Sequence, residues 1–288
     1  MPELPEVEIL VRHLRPLVTG RIIRGVEVRR ERVIAPTPKM KFSRSLTGAR
    51  IIGLERRGKY LLFQLRRPRG RPPVLLLGHL GMTGRMFVAR KKSPLPKHAA
   101  VVLDLGREQF VYEDPRYFGR LTLEATPIAT LGPEPLEAAF TAEAFARSLK
   151  RSRQAIKVKL LDQKLVAGIG NIYASEALFR AKISPRQAAC RLTGPHVRRL
   201  WRAIRDVLSD AIRRGSTIPL RFDGDGKAGL FYFGQVPGTP DFYEERLRVY
   251  DRQDAPCVRC KTPIKRIIQA ARSTFFCPCC QTSAIRLR

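Results

Sequence analysis

The two Cys-x-x-Cys pairs near the C-terminal end constrain this chain more than any other feature of its sequence. Cys257 and Cys260 form the first pair, and Cys277 and Cys280 form the second pair after 16 intervening residues. Pairs at this separation can bring four thiolates to one tetrahedral zinc ion, and four protein ligands leave no position open for catalysis. Cys279 would fit only by shortening the second pair. The spacing therefore predicts one structural Zn²⁺ on a C-terminal hairpin.

The chain also carries a large excess of positive charge. Among its 288 residues, Lys and Arg number 55 and Asp and Glu number 25, which gives a formal net charge of +30. This imbalance attracts polyanions and favours nucleic acid as the partner. The sequence contains no apolar run long enough to span a membrane and no signal-peptide pattern at its start, so we expect a cytoplasmic protein.

The hydrophobic pattern changes along the chain and predicts an α+β protein of two domains. Residues 3–18 have helical spacing, short β-like runs between residues 22 and 123 predict a sandwich or a barrel, and the Pro-rich residues 126–135 predict a linker. Four helical segments follow, at Ala142–Leu149, Ile156–Leu165, Ile172–Phe179 and His196–Ile212. The predicted domains are residues 1–130, residues 131–246 with a loop from about residue 215, and a zinc hairpin over residues 247–288.

The N-terminal residues could supply a nucleophile. Initiator methionine is usually removed before a small residue such as Pro2, and its removal would expose a secondary amine. An α-amino group titrates near neutrality, so much of it is unprotonated at a pH where lysine is charged. Glu3 and Glu6 lie close by, but carboxylates at the start of a helix are also ordinary caps. On residue type alone, the capping interpretation is favoured.

Segments along nearly the whole chain resemble the formamidopyrimidine-DNA glycosylases, which remove 8-oxoguanine and ring-opened purines from DNA. The matching segments, in the order of the family, are Pro2–Glu8, Arg56–Leu62, His79–Gly84, Asp114–Gly119, Leu131–Leu136, Asp162–Ala174 and Arg272–Cys277. The resemblance implies a β-sandwich with a leading helix, then a helical helix–two-turn–helix domain with the zinc hairpin. It also implies damaged double-stranded DNA as the partner, met at the bacterial nucleoid. The chain has no heptad repeats, which favours a monomer.

The resemblance implies a bifunctional glycosylase and AP lyase with a role for each catalytic residue. Pro2 would attack C1′ of the damaged nucleotide and form a Schiff base. Glu3 would protonate the sugar ring oxygen, and Glu6 would help to position the amine. Lys59 would assist elimination of the 3′ phosphate, and Arg272 would assist elimination of the 5′ phosphate.

The resemblance also implies residues that hold the DNA. An enzyme that reaches C1′ must turn the nucleotide out of the stack. Met82, Arg116 and Phe118 would fill the vacated space, although without the resemblance Met82 and Phe118 are interpreted as core residues. Three further residues would contact phosphates, namely His98, Arg153 and Asn171. For His98, a surface position without a role stays open.

Two features depart from the family pattern. Residues Asp225–Gly229 fit the Gly-rich loop that covers the flipped base, but the aromatic stretch of residues 230–243 is longer than the pattern. This difference leaves the preferred lesion open. Tyr117 stands where a basic residue is common.

Three alternative functions remain. Endonuclease VIII-like enzymes, which prefer oxidised pyrimidines, share the proline and the zinc hairpin but begin Pro-Glu-Gly-Pro-Glu, so Leu4 and the three wedge residues favour the purine branch. A DNA-binding protein without activity would have no reason to keep its catalytic residues together. A zinc-ribbon RNA-binding or ribosomal protein would leave about 250 preceding residues unexplained.

Overall fold

The computed structural model describes residues 2–68, 72–215 and 247–282. These residues form two compact units, one containing the chain up to Thr130 and the other beginning at Leu131 and including the C-terminal hairpin. The predicted loop with Asp225–Gly229 and the aromatic residues 230–243 lies outside the described residues. Within the described ranges, no helix is both long and apolar enough to cross a membrane.

The first unit is an antiparallel β-sandwich with a leading helix, as predicted. Its helices are α1 (Leu4–Val18), α2 (Lys39–Leu46) and α3 (Thr126–Ala129), with one short 3-10 helix at Glu31–Ile34. Its strands are β1 (Gly25–Val28), β2 (Arg50–Arg57), β3 (Tyr60–Arg66), β4 (Val74–His79), β5 (Arg85–Arg90), β6 (Ala99–Asp104), β7 (Glu108–Glu113) and β8 (Arg120–Thr122). One sheet has the order β1-β6-β7-β5, and the other has the order β2-β3-β4-β8.

Alternating side chains explain why the two sheets pack face to face. In β3, Leu61, Phe63 and Leu65 are buried, whereas the residues between them are partly exposed. Phe63 meets Phe110 of the other sheet with the ring centroids 5.4 Å apart. The apolar face of α1 enters the same core through Val7, Leu10, Val11 and Leu14. Burial of this face holds α1 in place, and its first residues belong to the predicted site.

The second unit is helical and carries the hairpin, which confirms the predicted fold of this part. Its elements are α4 (Ala142–Lys150), α5 (Ile156–Leu160), α6 (Asn171–Arg180), α7 (Gly194–Gly215), a 3-10 helix at Ala189–Arg191, and strands β9 (Lys265–Gln269) and β10 (Arg272–Phe276). The strands pair antiparallel, and Arg272 faces Gln269 across the two-residue turn Ala270–Ala271. Both turn residues adopt positive φ, as a type I′ turn requires.

One local prediction was wrong. The helix predicted over Ile156–Leu165 ends at Leu160. The Asp162 carboxylate accepts the Lys164 N–H at 2.9 Å, and such local side-chain bonds compete with the helical pattern. The linker predicted over residues 126–135 contains the boundary between the two units, after Thr130. It also contains the single-turn helix α3, because a proline in the first turn is compatible with helical geometry.

Candidate functional site

The start of α1 holds the three N-terminal residues of the predicted site. Pro2, Glu3 and Glu6 are all buried. Glu3 caps the helix, and the Glu6 carboxylate accepts the Glu3 N–H at 2.8 Å within a reciprocal capping box. The cap fixes the backbone directly after Pro2. Capping and catalysis are therefore compatible roles for these two carboxylates.

Lys59 is the second residue of the tight turn Gly58–Lys59 between β2 and β3, in the same unit. Gly58, with φ of 58°, permits this turn. The Lys59 side chain is buried, with only 6% of its surface exposed. A buried ammonium is a strong local charge, and it helps to lower the pKa of the neighbouring His79.

His79, at the end of β4, was not assigned a role from the sequence. Burial, with the charges of Lys59 and Arg120, lowers the pKa of His79 to about 4. Its Nδ1 accepts the Gly81 N–H at 3.1 Å, so the neutral ring carries its proton on Nε2. The ring also packs on Tyr60, with the centroids 4.8 Å apart. A neutral imidazole therefore lies beside the predicted catalytic lysine.

Acidification is expected to destabilise the protein through His79. An unfolded histidine titrates near 6.5 and His79 near 4, so between these values the unfolded state binds more protons. Stability present above pH 6.5 is therefore lost as the pH falls towards 4, by about 3 kcal/mol at most. We expect His79→Gln to flatten the dependence of the urea unfolding free energy on pH between 4.5 and 7. His98→Gln is the matched control, and equal slopes in the two variants would contradict the assignment.

Two loops present the predicted wedge residues. Met82 and Phe118 are 41% and 48% exposed, so their interpretation as core residues is wrong. Arg116 is exposed too, and its guanidinium carbon lies 4.8 Å from the centroid of the Phe118 ring. A cation over an aromatic face is a stable arrangement that keeps both groups at the surface.

The fully buried Asp114 joins these two loops. Its carboxylate accepts the Thr83 hydroxyl at 2.6 Å and the backbone N–H groups of Arg116 and Gly119 at 3.2 and 2.8 Å. Gly81 lies so close to the other loop that an added Cβ would come within 2.5 Å of the Gly119 nitrogen. Asp114 therefore holds the two loops together, and their close approach requires glycine at position 81.

In the second unit, Asn171 lies next to the strand of Arg272. The Asn171 Nδ2 donates to the Ser273 carbonyl at 2.9 Å, and its Oδ1 accepts from the Lys157 ammonium. Lys157 is fully buried and also reaches the Ser273 carbonyl at 3.4 Å. Asn171 thus braces β10.

The remaining predicted site residues are the catalytic candidate Arg272 and the DNA contacts Arg153 and His98. Arg272 and Arg153 belong to the second unit and His98 belongs to the first. Arg272 is exposed and borders a cavity of about 330 Å³ together with Gln154 and Asp162. Arg153 is exposed just after α4. His98 is partly exposed in the first unit, where its carbonyl accepts the Asp114 N–H at 3.2 Å.

The four paired cysteines fit one zinc ion. All four Sγ atoms lie within 4.8 Å of one another. The separation is 3.9 Å between Cys257 and Cys280 and 3.4 Å between Cys260 and Cys277, close to the edge of about 3.8 Å in a tetrahedron with 2.3 Å Zn–S bonds. Backbone N–H groups also point at two of the sulfurs. Cys279 is exposed and lies outside the set.

Glu176 of α6 secures the chain just before the zinc module and was also missed from the sequence. Its buried carboxylate accepts the backbone N–H groups of Arg248, Val249 and Tyr250, each at 2.9 Å. Burial raises the pKa of Glu176, although these three bonds oppose the shift. Val249 then enters an apolar cluster with Phe179, Cys257, Ile264, Phe275 and Cys277.

The chain matches three family models in sequence order. They are the formamidopyrimidine-DNA glycosylase N-terminal domain over residues 1–121, the H2TH domain of the same enzymes over residues 131–221, and the zinc finger found in FPG and IleRS over residues 255–282. Together they cover most of the sequence, including the site residues described above.

Similar proteins extend over nearly the full length. The formamidopyrimidine-DNA glycosylase of Symbiobacterium thermophilum is 45% identical over 98% of this chain and 89% of its own length, and that of Thermus thermophilus is 42% identical over 98% of each. The Lactococcus lactis enzyme bound to DNA with an AP site has a TM-score of 0.82 and 33% identity over 98% of this chain and all of its own. MutM in complex with carbocyclic 8-oxo-G DNA gives 0.83, with the same identity and coverage. The chain therefore belongs to the formamidopyrimidine-DNA glycosylase family.

Proposed function

We propose that this chain is a bifunctional DNA glycosylase and AP lyase that removes 8-oxoguanine and formamidopyrimidines from double-stranded DNA in base excision repair. Membership of the family supports this function, as do similar structures solved with abasic-site and 8-oxo-G DNA. The observation that carries the proposal is the burial of Pro2, Glu3 and Lys59 within one unit. Three buried reactive groups support a catalytic site, and the net charge of +30 supports a polyanionic substrate such as DNA.

The first half of the proposed reaction exchanges the base for the protein. After removal of Met1, the lone pair of the Pro2 nitrogen forms a bond to C1′ and the nitrogen loses its proton. The bond from C1′ to the base breaks, and the base leaves with the bonding electron pair and takes up a proton. Glu3 gives a proton to the ring oxygen, which opens the sugar and leaves an iminium ion between Pro2 and C1′. Glu6 holds the Glu3 backbone N–H and so helps to keep this end of α1 in place.

The second half cleaves the strand. The iminium ion makes the C2′ proton more acidic, and loss of that proton expels the 3′ phosphate in the β-elimination. A second elimination then expels the 5′ phosphate. The Lys59 ammonium and the Arg272 guanidinium are the groups we assign to the two leaving phosphates, because a fixed positive charge stabilises the anion that forms.

The proposed DNA contacts divide into two kinds. Met82, Arg116 and Phe118 enter the stack where the nucleotide leaves, and the guanidinium can bond the unpaired partner base. Phosphate contacts come from His98, Arg153 and Asn171. We propose that the protein works as a monomer in the cytoplasm, on DNA of the nucleoid.

Borohydride trapping tests the proposal, because reduction of the iminium ion leaves a stable protein–DNA adduct. We expect an adduct on a duplex with 8-oxoguanine opposite cytosine and strong loss of it in Pro2→Gly, which replaces the secondary amine. A thymine-glycol duplex separates the alternatives: an adduct only on that DNA would move the chain to the endonuclease VIII-like branch. Tight DNA binding with no adduct on either duplex would leave a binding protein.

A further inference from the structure

The Glu8 carboxylate of α1 binds two arginines that differ in their exposure to water. Nε of Arg12 lies 2.7 Å from one oxygen, and Nε of Arg56 lies 2.8 Å from the other. The side chain of Arg12 is 50% exposed, whereas that of Arg56 is 10% exposed. Burial raises the pKa of Glu8, but the two arginines outweigh it and hold the pKa below its usual value. Since water screens the outer pair, the inner pair is the stronger link.

Arg56 joins this carboxylate to the turn that carries Lys59. Besides its bond to Glu8, its Nη1 donates to the Gly58 carbonyl at 3.2 Å. Gly58 directly precedes Lys59 and holds the left-handed conformation of the turn, with φ of 58°. One guanidinium therefore links the helix that begins with Glu3 to the peptide group next to the buried lysine.

α1 has a second attachment to β2 farther along the helix. Nε of Arg15 donates to the Leu54 carbonyl at 2.8 Å. Glu8 lies about 7.5 Å along the axis from the cap at Glu3, and Arg15 lies about 18 Å from it, at 1.5 Å per residue. Of these two links, Glu8–Arg56 lies nearer the start of α1 and Arg15–Leu54 lies nearer its end.

We propose that Arg56 is a positioning residue that sets the separation of the Pro2 amine and the Lys59 ammonium, and so couples attack on C1′ to the first elimination. This inference rests on the proposed function. Both groups must meet the same sugar in turn, and misplacement by about 1 Å can reduce a rate by about a hundredfold. Arg56 contacts neither reacting atom and acts through Glu8 and Gly58.

The test compares two steps on one substrate, a duplex with a preformed AP site, under single-turnover conditions. Borohydride trapping reports the iminium ion, and the cleaved strand reports elimination. In Arg56→Met we expect elimination to slow at least about tenfold more than adduct formation, so that trapped adduct accumulates. Arg56→Lys should recover part of this ratio, because its ammonium keeps the charge but lacks the planar fork. Arg12→Met, the matched control on the same carboxylate, should change both rates less than twofold.

Glu8→Gln keeps the shape of the side chain and guards against a simple loss of folding. It should reproduce the uneven slowing, and the double variant with Arg56→Met should be no worse than Arg56→Met alone. Equal slowing of both steps in Arg56→Met and Glu8→Gln, or an equal effect of Arg12→Met, would overturn the positioning role. Failure of the wild-type protein to form an adduct would instead reject the proposed function.

Discussion

Protein that retains Met1 is expected to form a covalent adduct with damaged DNA far more slowly than the trimmed protein, and removal of that methionine should restore the activity. In the retained form the Pro2 nitrogen is an amide, which has no lone pair free for attack on C1′. We expect trapping on the 8-oxoguanine duplex to be at least about a thousandfold slower than in the trimmed protein, the scale of losing a nucleophile.

The two forms can be compared within one preparation. Protein made while methionine aminopeptidase is inhibited keeps Met1, and later treatment with that enzyme exposes Pro2 without any substitution. Mass spectrometry follows the loss of the residue, and borohydride trapping follows the gain of adduct. A full yield of adduct before treatment would identify another amine as the nucleophile, and the buried Lys59 would be the first to test.

Replacement of a zinc ligand is expected to have the second large effect. Cys277→Ser removes a thiolate that is buried in the cluster of Phe179, Val249 and Phe275. Structural zinc contributes about 10 kcal/mol or more to folding of such modules, so the variant should lose the ordered hairpin. β10 ends at Phe276, directly before this cysteine, and Arg272 would lose its fixed place.

Cys279→Ser is the matched control for this variant. Cys279 is exposed and lies outside the four sulfurs that converge. We expect Cys277→Ser to lose bound zinc, measured by atomic absorption, and to cleave AP-site DNA at least about a hundredfold more slowly. Cys279→Ser should keep one zinc per chain and its rate of cleavage. A zinc-loaded, fully active Cys277→Ser protein would contradict the ligand assignment.

Local patterns in the sequence predicted most of the architecture, because helices, strands and zinc-binding cysteine pairs each have a characteristic short spacing of residues. Helical spacing located α1, and the cysteine spacing located the hairpin between its two knuckles. The end of α5 was missed, since periodicity does not register an Asp162 carboxylate that takes a backbone N–H. Residue type alone would place Met82 and Phe118 in the core, and only the resemblance to a family predicted that they are exposed.

The buried charged residues could not be predicted in the same way. Lys157 finds the Ser273 carbonyl 116 residues later, and Glu176 finds the Arg248 N–H 72 residues later. A charged residue whose partner is unknown is expected at the surface. Sequence analysis therefore does not distinguish these buried residues from ordinary surface residues. Only the resemblance to a family identified Asn171, and it did not indicate that Lys157 braces it.

The three bonds to Glu176 also bear on how this protein can vary in length. They fasten residues 248–250 to α6 directly, so the position of the zinc module does not depend on the number of residues inserted ahead of it. A change of chain length ahead of residue 248 would therefore leave these three bonds in place, and with them the direct attachment of residues 248–250 to α6.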